Sequence, residues 1–233
     1  EDPSNEVLLL EAGGSDRRFF IQMPIGYGVT YHQKAVNWMY MTEPSPDADN
    51  KPSYWPRGKV MGGSSSINAM VYVRGNPKDF DQWSEAGNPG WSYSDVLPYF
   101  KKMESWQNGP DDYRGGDGPL NVSEVSEQLH PLCQNFLSAA QEIGIGLNKD
   151  MNGATQEGVG NYQITTHKGQ RMSSSRAYLW PIKGRTNLII IKNSQATKVL
   201  TKDKKAYGIE YKKSGKIHQA TAKREVILSA GSI

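Results

Sequence analysis

The residues best suited to bind an anion lie in the segment Arg57–Tyr72. It reads Arg-Gly-Lys-Val-Met-Gly-Gly-Ser-Ser-Ser-Ile-Asn-Ala-Met-Val-Tyr, so two glycines and three serines directly precede an apolar stretch. Small residues at the start of a helix leave backbone N–H groups that can donate to an anion, and the helix dipole adds to the attraction. Arg57 and Lys59 add positive charge nearby. A serine-capped helix with a tight glycine turn and no ligand is the alternative interpretation.

A second candidate group is the carboxylate of Glu11. It follows Val7–Leu10, a run that is apolar without alternation and predicts a strand buried on both faces of a parallel sheet. In a dinucleotide-binding βαβ unit, the acid that ends the second strand accepts hydrogen bonds from a ribose, and a glycine-rich phosphate loop lies ~20 residues upstream. Only ten residues precede Glu11. We therefore expect the first strand and the phosphate loop to lie outside this chain.

No metal site or catalytic base can be identified from the sequence. The four histidines, His32, His130, His167 and His218, are far apart in the chain, and no His, Cys or acidic cluster has ligand spacing. A packing or surface role is the interpretation we favour for each of them. The prediction is therefore that this segment contains no catalytic residue and no metal ligand.

Composition excludes several classes of protein. The chain has 233 residues, 36% hydrophobic, with no apolar run near the ~20 residues of a membrane helix, so we expect neither a disordered tail nor a membrane span. A net charge of +3 is no nucleic-acid footprint. Its one cysteine, Cys133, cannot form an internal disulfide, which favours a reducing compartment. We predict a cytoplasmic location, with peripheral membrane docking as the alternative.

The remaining pattern predicts mixed helices and strands first and a β-meander later. Helices are expected after Asn76-Pro77, from Ser94 to Met103, over His130–Ile143 and over Ser173–Leu179. Strands are expected at 187–192, 197–200, 206–212, 216–221 and 225–229. Because strand patterns lie close to both ends, we expect the chain to be the interior of a larger fold.

Several stretches resemble one family, the glucose–methanol–choline (GMC) oxidoreductases, which are flavoenzymes. The similar segments, in chain order, are Leu10–Gly14, Trp55–Asn76, Asp79–Trp83, Gly90–Lys102, Gly169–Leu179 and Val226–Ile233. They span the whole chain and look closest to the choline dehydrogenase-like alcohol dehydrogenases of the family. The resemblance implies an α/β fold, an incomplete FAD-binding Rossmann-like domain of the GMC type with the start of the substrate domain. Residues 1–233 would form the family's N-terminal region, without the C-terminal catalytic domain.

The resemblance also implies a function and a binding site. The function would be FAD-dependent oxidation of the CH–OH group of a choline-like or other primary alcohol, with a catalytic histidine beyond this chain, so that this segment alone would be inactive. Members that bind flavin covalently have His where this chain has Ile67, which implies non-covalent FAD. The residues implied to contact FAD are Glu11, Arg57, Gly62, Gly63, Ser64, Asn68, Ala69, Met70, Val71, Ala196, Ala230 and Gly231.

The implied roles differ along this set. Glu11 would bind the ribose of the ADP half, and the residues from Arg57 to Ser64 the pyrophosphate and ribityl chain. Asn68 to Val71 would contact the flavin end. Ala196 would pair its backbone with the adenine, and Ala230 and Gly231 would close on the ADP half.

The implied partners are a small alcohol and an electron acceptor, which could be a quinone, oxygen or another acceptor, and no nucleic acid. The sequence does not predict an oligomeric state. Two alternatives stay open at this point. One is a family member that binds flavin without redox turnover, such as a lyase. The other is an NAD(P)-dependent dehydrogenase that shares only the Rossmann strand.

Overall fold

The computed structural model describes residues 2–233. The helices are α1 (Phe19–Gln22), α2 (Tyr27–Thr30), α3 (Pro77–Glu85), α4 (Tyr93–Met103) and α5 (Leu132–Glu142), with short 3-10 turns between them and one π-helical turn at Ser175–Leu179. The strands are β1 (Val7–Leu10), β2 (Tyr40–Met41), β3 (Tyr54–Trp55), β4 (Val71–Tyr72), β5 (Glu104–Trp106), β6 (Leu120–Val122), β7 (Gln163–Ile164), β8 (Thr166–His167), β9 (Gln170–Arg171), β10 (Leu188–Ile191), β11 (Ser194–Lys202), β12 (Lys205–Lys213) and β13 (Lys216–Thr221). In residues 2–233, no helix combines the length and the apolar character needed to cross a membrane.

The predicted parallel pairing of β1 is confirmed. It pairs with β10 in the register Val7 with Leu188 to Leu10 with Ile191. The expectation that both faces are buried is wrong within the described residues, where Val7 is 48% exposed and Ile189 is 59% exposed. The sheet has only these two strands there, and no described element fully covers the faces on which Val7 and Ile189 lie.

The predicted β-meander is also confirmed for three of its strands. β11, β12 and β13 form an antiparallel sheet, and β11 is longer than its apolar run because lysines and polar residues continue the pairing. The predicted strand at 225–229 is wrong: the segment is irregular, and Ile227 is 75% exposed. An apolar run alone does not make a strand, since its backbone groups also need a paired neighbour.

Three of the four predicted helices are confirmed by α3, α4 and α5, whereas the fourth, Ser173–Leu179, forms only the π-helical turn at Ser175–Leu179. The apolar face of α5 is less buried than its pattern suggests. The Asn76 side chain accepts from the Lys78 amide at the start of α3, and Ser92 with Asp95 forms a capping box at α4. On α5, Leu137 and Ala140 are buried whereas Phe136 is 69% exposed. The tryptophans divide similarly: Trp106 is buried, whereas Trp83 and Trp91 are half exposed.

Two apolar cores support the segment Arg57–Tyr72. The first contains Ile21, Val36, Val60 and Ile67, all of which are almost fully buried. The second joins β4, β5 and β6 to the turn at Ser175–Leu179 through Tyr72, Trp106, Leu120, Val122, Met172 and Ala177. The segment Arg57–Tyr72 therefore contributes Val60 and Ile67 to the first core and Tyr72 to the second.

A buried ionic network lies beside the second core. Glu104, fully buried, accepts from Arg74 Nη2 at 2.8 Å, from the Gly115 amide at 2.9 Å and from Nε and Nη2 of Arg114. Arg114 also donates to both oxygens of Asp150 at 2.8 Å. Burial would by itself lower the pKa of Arg114, but the bonds to Glu104 and Asp150 outweigh it and raise that pKa. The network links the segment just after β4, the strand β5 and the loops 111–115 and 148–152.

Removing one partner of this network should destabilise the protein strongly. We expect Glu104→Gln to lower the free energy of unfolding by about 3–5 kcal/mol, because it leaves the Arg74 and Arg114 cations without their shared buried anion. Urea unfolding measures the loss. Asp49→Asn is the control: its ion pair with Lys51 is solvent-exposed, so we expect a change below about 1 kcal/mol. A loss at Glu104 no larger than that at Asp49 would contradict the prediction.

Candidate active site

The candidate site begins where the two parallel strands end. Past β1 and β10, the Glu11 amide donates to the Ile191 carbonyl at 3.0 Å, and the Ser194 amide donates to the Glu11 carbonyl at 2.9 Å. The Asn193 amide donates to the Gly13 carbonyl at 2.9 Å. The carboxyl ends of parallel strands are where open α/β sheets bind ligands.

Glu11 lies at this edge with its carboxylate half-buried. The Gly13 amide donates to Oε1 at 2.7 Å, and no donor of the described residues reaches Oε2. Burial raises the pKa of the Glu11 carboxyl, while the Gly13 hydrogen bond and the charge of Lys59 oppose that rise. One carboxylate oxygen therefore orients the turn, and the other is available to a hydroxyl donor.

Gly13 is needed because another backbone passes very close to it. A Cβ atom at this position would lie 1.9 Å from the Lys59 carbonyl oxygen. The contact continues through the Met61 amide, which donates to the Gly14 carbonyl at 3.0 Å. The strand end at Glu11 and the segment from Lys59 are thus held side by side.

The Gly-Gly-Ser-Ser-Ser stretch does not start a helix, so that expectation is wrong. Gly63–Ser66 forms one 3-10 turn, entered through Gly62 in the left-handed region at φ 86°. The Ser65 and Ser66 hydroxyls donate to the carbonyls of Gly62 and Met61, and beyond this turn Val71–Tyr72 is extended and pairs with β7. A single turn provides no helix dipole, so the predicted anion site at a helix N-terminus is not formed.

The turn nevertheless packs tightly against the cationic residues. Ser64 Oγ accepts from the Gly58 amide at 3.1 Å, and a Cβ at Gly58 would lie 2.2 Å from the Gly63 carbonyl oxygen. The Arg57 guanidinium lies 5.1 Å from the centre of the Trp55 ring. Lys59 Nζ lies 4.3 Å from the centre of the Trp38 ring. Both cations are therefore held over aromatic faces beside the glycine turn.

The segment from Asn68 to Val71 has an unusual backbone. Met70 is buried and adopts φ 64°, a conformation that is costly for a long side chain. It is held by its amide, which donates to Asn68 Oδ1 at 3.1 Å, and by its carbonyl, which accepts from the Thr165 amide at 2.8 Å. Ala69 is half-buried, and Asn68 and Val71 are exposed. The turn presents their side chains outward.

The three remaining candidate residues lie apart from this segment. Ala196 is in β11 opposite Tyr211, two residues after the Ser194 amide that bonds to Glu11. Ala230 and Gly231 are exposed in the irregular stretch after β13, and no hydrogen bond joins them to the Glu11 edge within residues 2–233. Their role in binding stays a prediction.

Two residues that support the site were not identified from the sequence. Ser174 donates through its amide to Ser65 Oγ at 2.9 Å and through its hydroxyl to the Gly62 carbonyl at 3.2 Å. Arg171, fully buried, donates to the Asn68 carbonyl at 2.6 Å and to Asn68 Oδ1 at 2.9 Å. Both residues lie in the family-like segment Gly169–Leu179, but its sequence does not show which other segment they contact.

Comparison with known proteins adds to this geometry. The sequence pattern of the family described as GMC oxidoreductase matches residues 9–233. The chain is 47% identical over 228 residues to an oxygen-dependent choline dehydrogenase of Photobacterium profundum, covering 97% of this chain and 40% of that protein. It is 46% identical over 240 residues to the mitochondrial choline dehydrogenase of Mus musculus, covering 100% of this chain and 40% of that protein. The chain thus spans about two fifths of the length of these relatives.

Two solved structures superpose closely on this chain. The pyridoxine 4-oxidase of Mesorbium loti superposes with a TM-score of 0.90 at 28% identity, covering 94% of this chain and 43% of that one. An FAD-dependent oxidoreductase from Chaetomium thermophilum superposes with a TM-score of 0.87 at 29% identity, covering 95% of this chain and 40% of that one.

We expect the ionised carboxylate of Glu11 to lower the free energy of unfolding at neutral pH, although the same carboxylate is the candidate ligand-binding group. Its pKa is higher in the folded protein than its ordinary value of 4.5, so the native state binds more protons in that window. Stability therefore falls as pH rises from 4.5 through the raised pKa and stays reduced above it. We expect Glu11→Gln to increase the free energy of unfolding at pH 7, because it removes the cost of a buried charge.

Urea unfolding between pH 4 and pH 7 measures this effect. The control is Glu142→Gln on the exposed surface of α5, which should leave the pH profile unchanged. If Glu11→Gln is less stable than the wild-type protein at pH 7, the carboxylate stabilises the fold and the prediction is wrong.

Proposed function

This chain belongs to the GMC oxidoreductase family, and from that premise we propose that it forms the FAD-binding part of an enzyme that oxidises an alcohol. One observation carries the proposal: the half-buried carboxylate of Glu11 is held at the carboxyl ends of two parallel strands, directly against the Gly13–Lys59 contact. The similarity to FAD-dependent oxidoreductases over almost the whole chain supports it. The NAD(P) alternative does not account for a match that continues far beyond one strand.

The residues present fit FAD at the adenosine end. Glu11 Oε2 can accept from ribose hydroxyls, since Oε1 already accepts from the Gly13 amide. Arg57 and the turn Gly62-Gly63-Ser64 would approach the pyrophosphate and ribityl chain, where the cation over Trp55 favours negative charge. Ala196, Ala230 and Gly231 would contact the ADP half through backbone groups.

At the other end, Asn68, Ala69, Met70 and Val71 would contact the flavin. FAD, when bound, supplies the redox chemistry by accepting a hydride from the alcohol carbon. The side chain of Ile67 is buried among Ile21, Val36 and Val60 and has no atom that could form a bond to the flavin. We therefore propose non-covalent binding.

We assign no catalytic base to this chain. His32 stacks on Tyr54 and His218 stacks on Tyr211, and His130 Nδ1 accepts from the Leu132 amide. These contacts are with residues outside the set proposed to bind FAD. We propose that residues 1–233 bind and orient FAD, and that a histidine elsewhere in the whole protein removes the proton from the hydroxyl group of the alcohol.

The proposed substrate is a choline-like or other primary alcohol, because curated relatives at 46–47% identity are choline dehydrogenases. An electron acceptor must reoxidise the flavin, and a quinone, oxygen or another acceptor would serve. Cys133 is unpaired, which agrees with the proposed cytoplasmic location; docking at a membrane surface is the alternative.

The redox proposal is tested by mixing the full-length protein with choline under anaerobic conditions. We expect the flavin absorbance near its visible maximum to bleach, and denaturation to release the flavin into the supernatant because no covalent bond retains it. Other primary alcohols define the substrate range. Retention of full absorbance with every alcohol would favour the flavin-binding member without redox turnover, and flavin that stays with the denatured protein would refute non-covalent binding.

The placement of the ribose is tested with Glu11→Gln. We expect FAD to bind about 10- to 100-fold more weakly, because the charge-assisted hydrogen bond to a ribose hydroxyl is lost. Fluorescence titration of the apoprotein with FAD measures the change, and Glu142→Gln should bind like the wild-type protein. Since the same change should stabilise the fold at pH 7, weaker binding would not be a result of unfolding. Wild-type affinity in Glu11→Gln would contradict the placement.

A further inference from the structure

Arg171 occupies an environment that its packing role does not explain. It is fully buried, and its guanidinium donates to the carbonyls of Ile21, Ser65 and Asn68 and to Asn68 Oδ1. None of these acceptors is a carboxylate. Its Nη2 atom is buried without a hydrogen-bond partner among the described residues.

The charge of this arginine is therefore not neutralised locally. Burial lowers the pKa of Arg171 to about 10, so the group is still protonated near pH 7. The buried Arg114, in contrast, is paired with Glu104 and Asp150. A buried cation without a counter-ion is costly, and an unsatisfied donor of this kind calls for an explanation.

The contacts of Arg171 determine how the Asn68 amide is oriented. Asn68 Oδ1 accepts from Arg171 Nη1 at 2.9 Å and from the Met70 amide at 3.1 Å. Both partners can only donate, so a flipped amide would place N–H groups against N–H groups. The side chain of Asn68 is exposed, and its Nδ2 amino group remains available to donate to an acceptor on a ligand.

The same two bonds stabilise the costly backbone of Met70. Its left-handed φ of 64° is kept by the bond from its amide to Asn68 Oδ1, and that oxygen is kept in place by Arg171. Arg171 reaches this turn from a distant part of the chain and also binds the Ile21 carbonyl at 2.9 Å. One side chain therefore determines the position of Asn68, the turn at Met70 and their distance from α1.

We propose that Arg171 is a positioning residue for the flavin: it holds Asn68 with its Nδ2 amino group toward bound FAD, and its unneutralised charge favours the reduced, more negative state of the cofactor. This inference rests on the proposed function. The fold needs only the hydrogen bonds of Arg171, whereas the proposal needs its charge and the orientation of Asn68. The two roles can therefore be separated by experiment.

The test uses the full-length protein with FAD bound. We expect Arg171→Met to lower the midpoint potential of the flavin, with a preference for reduction that is about tenfold weaker, equivalent to ~30 mV for a two-electron couple. We also expect the Kd for FAD to rise about tenfold, because the Asn68 turn loses its support. Arg185→Met, which removes an exposed arginine, is the control and should change neither quantity.

A second variant, Asn68→Asp, covers the case in which Arg171→Met does not fold. The carboxylate still accepts from Arg171 and from the Met70 amide, but it neutralises the arginine and removes the amino donors. We expect a similar fall in the midpoint potential, with folding preserved because the side chain is exposed.

The outcomes separate this inference from the proposed function. A wild-type protein that binds no FAD would overturn both. If the wild-type protein binds FAD but both folded variants keep its potential and Kd, Arg171 is only structural and the inference fails. Should Arg171→Met not fold, unchanged values in Asn68→Asp alone would overturn it. A lower melting temperature with an unchanged potential and Kd would lead to the same conclusion.

Discussion

The site depends on one close approach, that of the Lys59 backbone to Gly13. No side chain fits between them, because a Cβ at Gly13 would lie 1.9 Å from the Lys59 carbonyl oxygen. This contact places the carboxylate that follows β1 beside the segment that contains the glycine turn. The proposed approach of Glu11 and the glycine turn to one ligand follows from it, since these segments are far apart in sequence and are joined by the Gly13–Lys59 and Gly14–Met61 contacts.

Two groups of buried arginines support the region around the glycine turn, and they differ in whether their charges are paired. Around Glu104, the cations and anions are paired, so their mutual attraction offsets much of the free-energy cost of burying them, and their hydrogen bonds join the loops that follow β4 and β5. Around Arg171, the cation is bound only by neutral acceptors. The paired network can therefore stabilise the fold, whereas the unpaired charge of Arg171 can act on a ligand. The positive φ of Met70 lies between them.

Local patterns were sufficient where the structure is decided by neighbours in the chain. The cap at Asn76 led to the correct start of α3, and the apolar run Val7–Leu10 led to a parallel strand. Local patterns failed where the secondary structure depends on a pairing partner that is distant in the chain. The residues after the three serines are extended because Val71 and Tyr72 pair with β7, and the run at 225–229 is irregular because no strand of the described residues pairs with it.

The order of the motifs, the glycines and the carboxylate after an apolar run are local properties, so the family and a set of candidate residues can be named from the chain alone. Three features became visible only in the folded chain: which oxygen of Glu11 is available, that the glycine turn is not a helix start, and that Arg171 and Ser174 support it. The physical reason is distance along the chain. Hydrogen-bond partners 100 or more residues apart, such as Arg171 and Asn68, leave no periodicity or spacing that a single sequence can reveal.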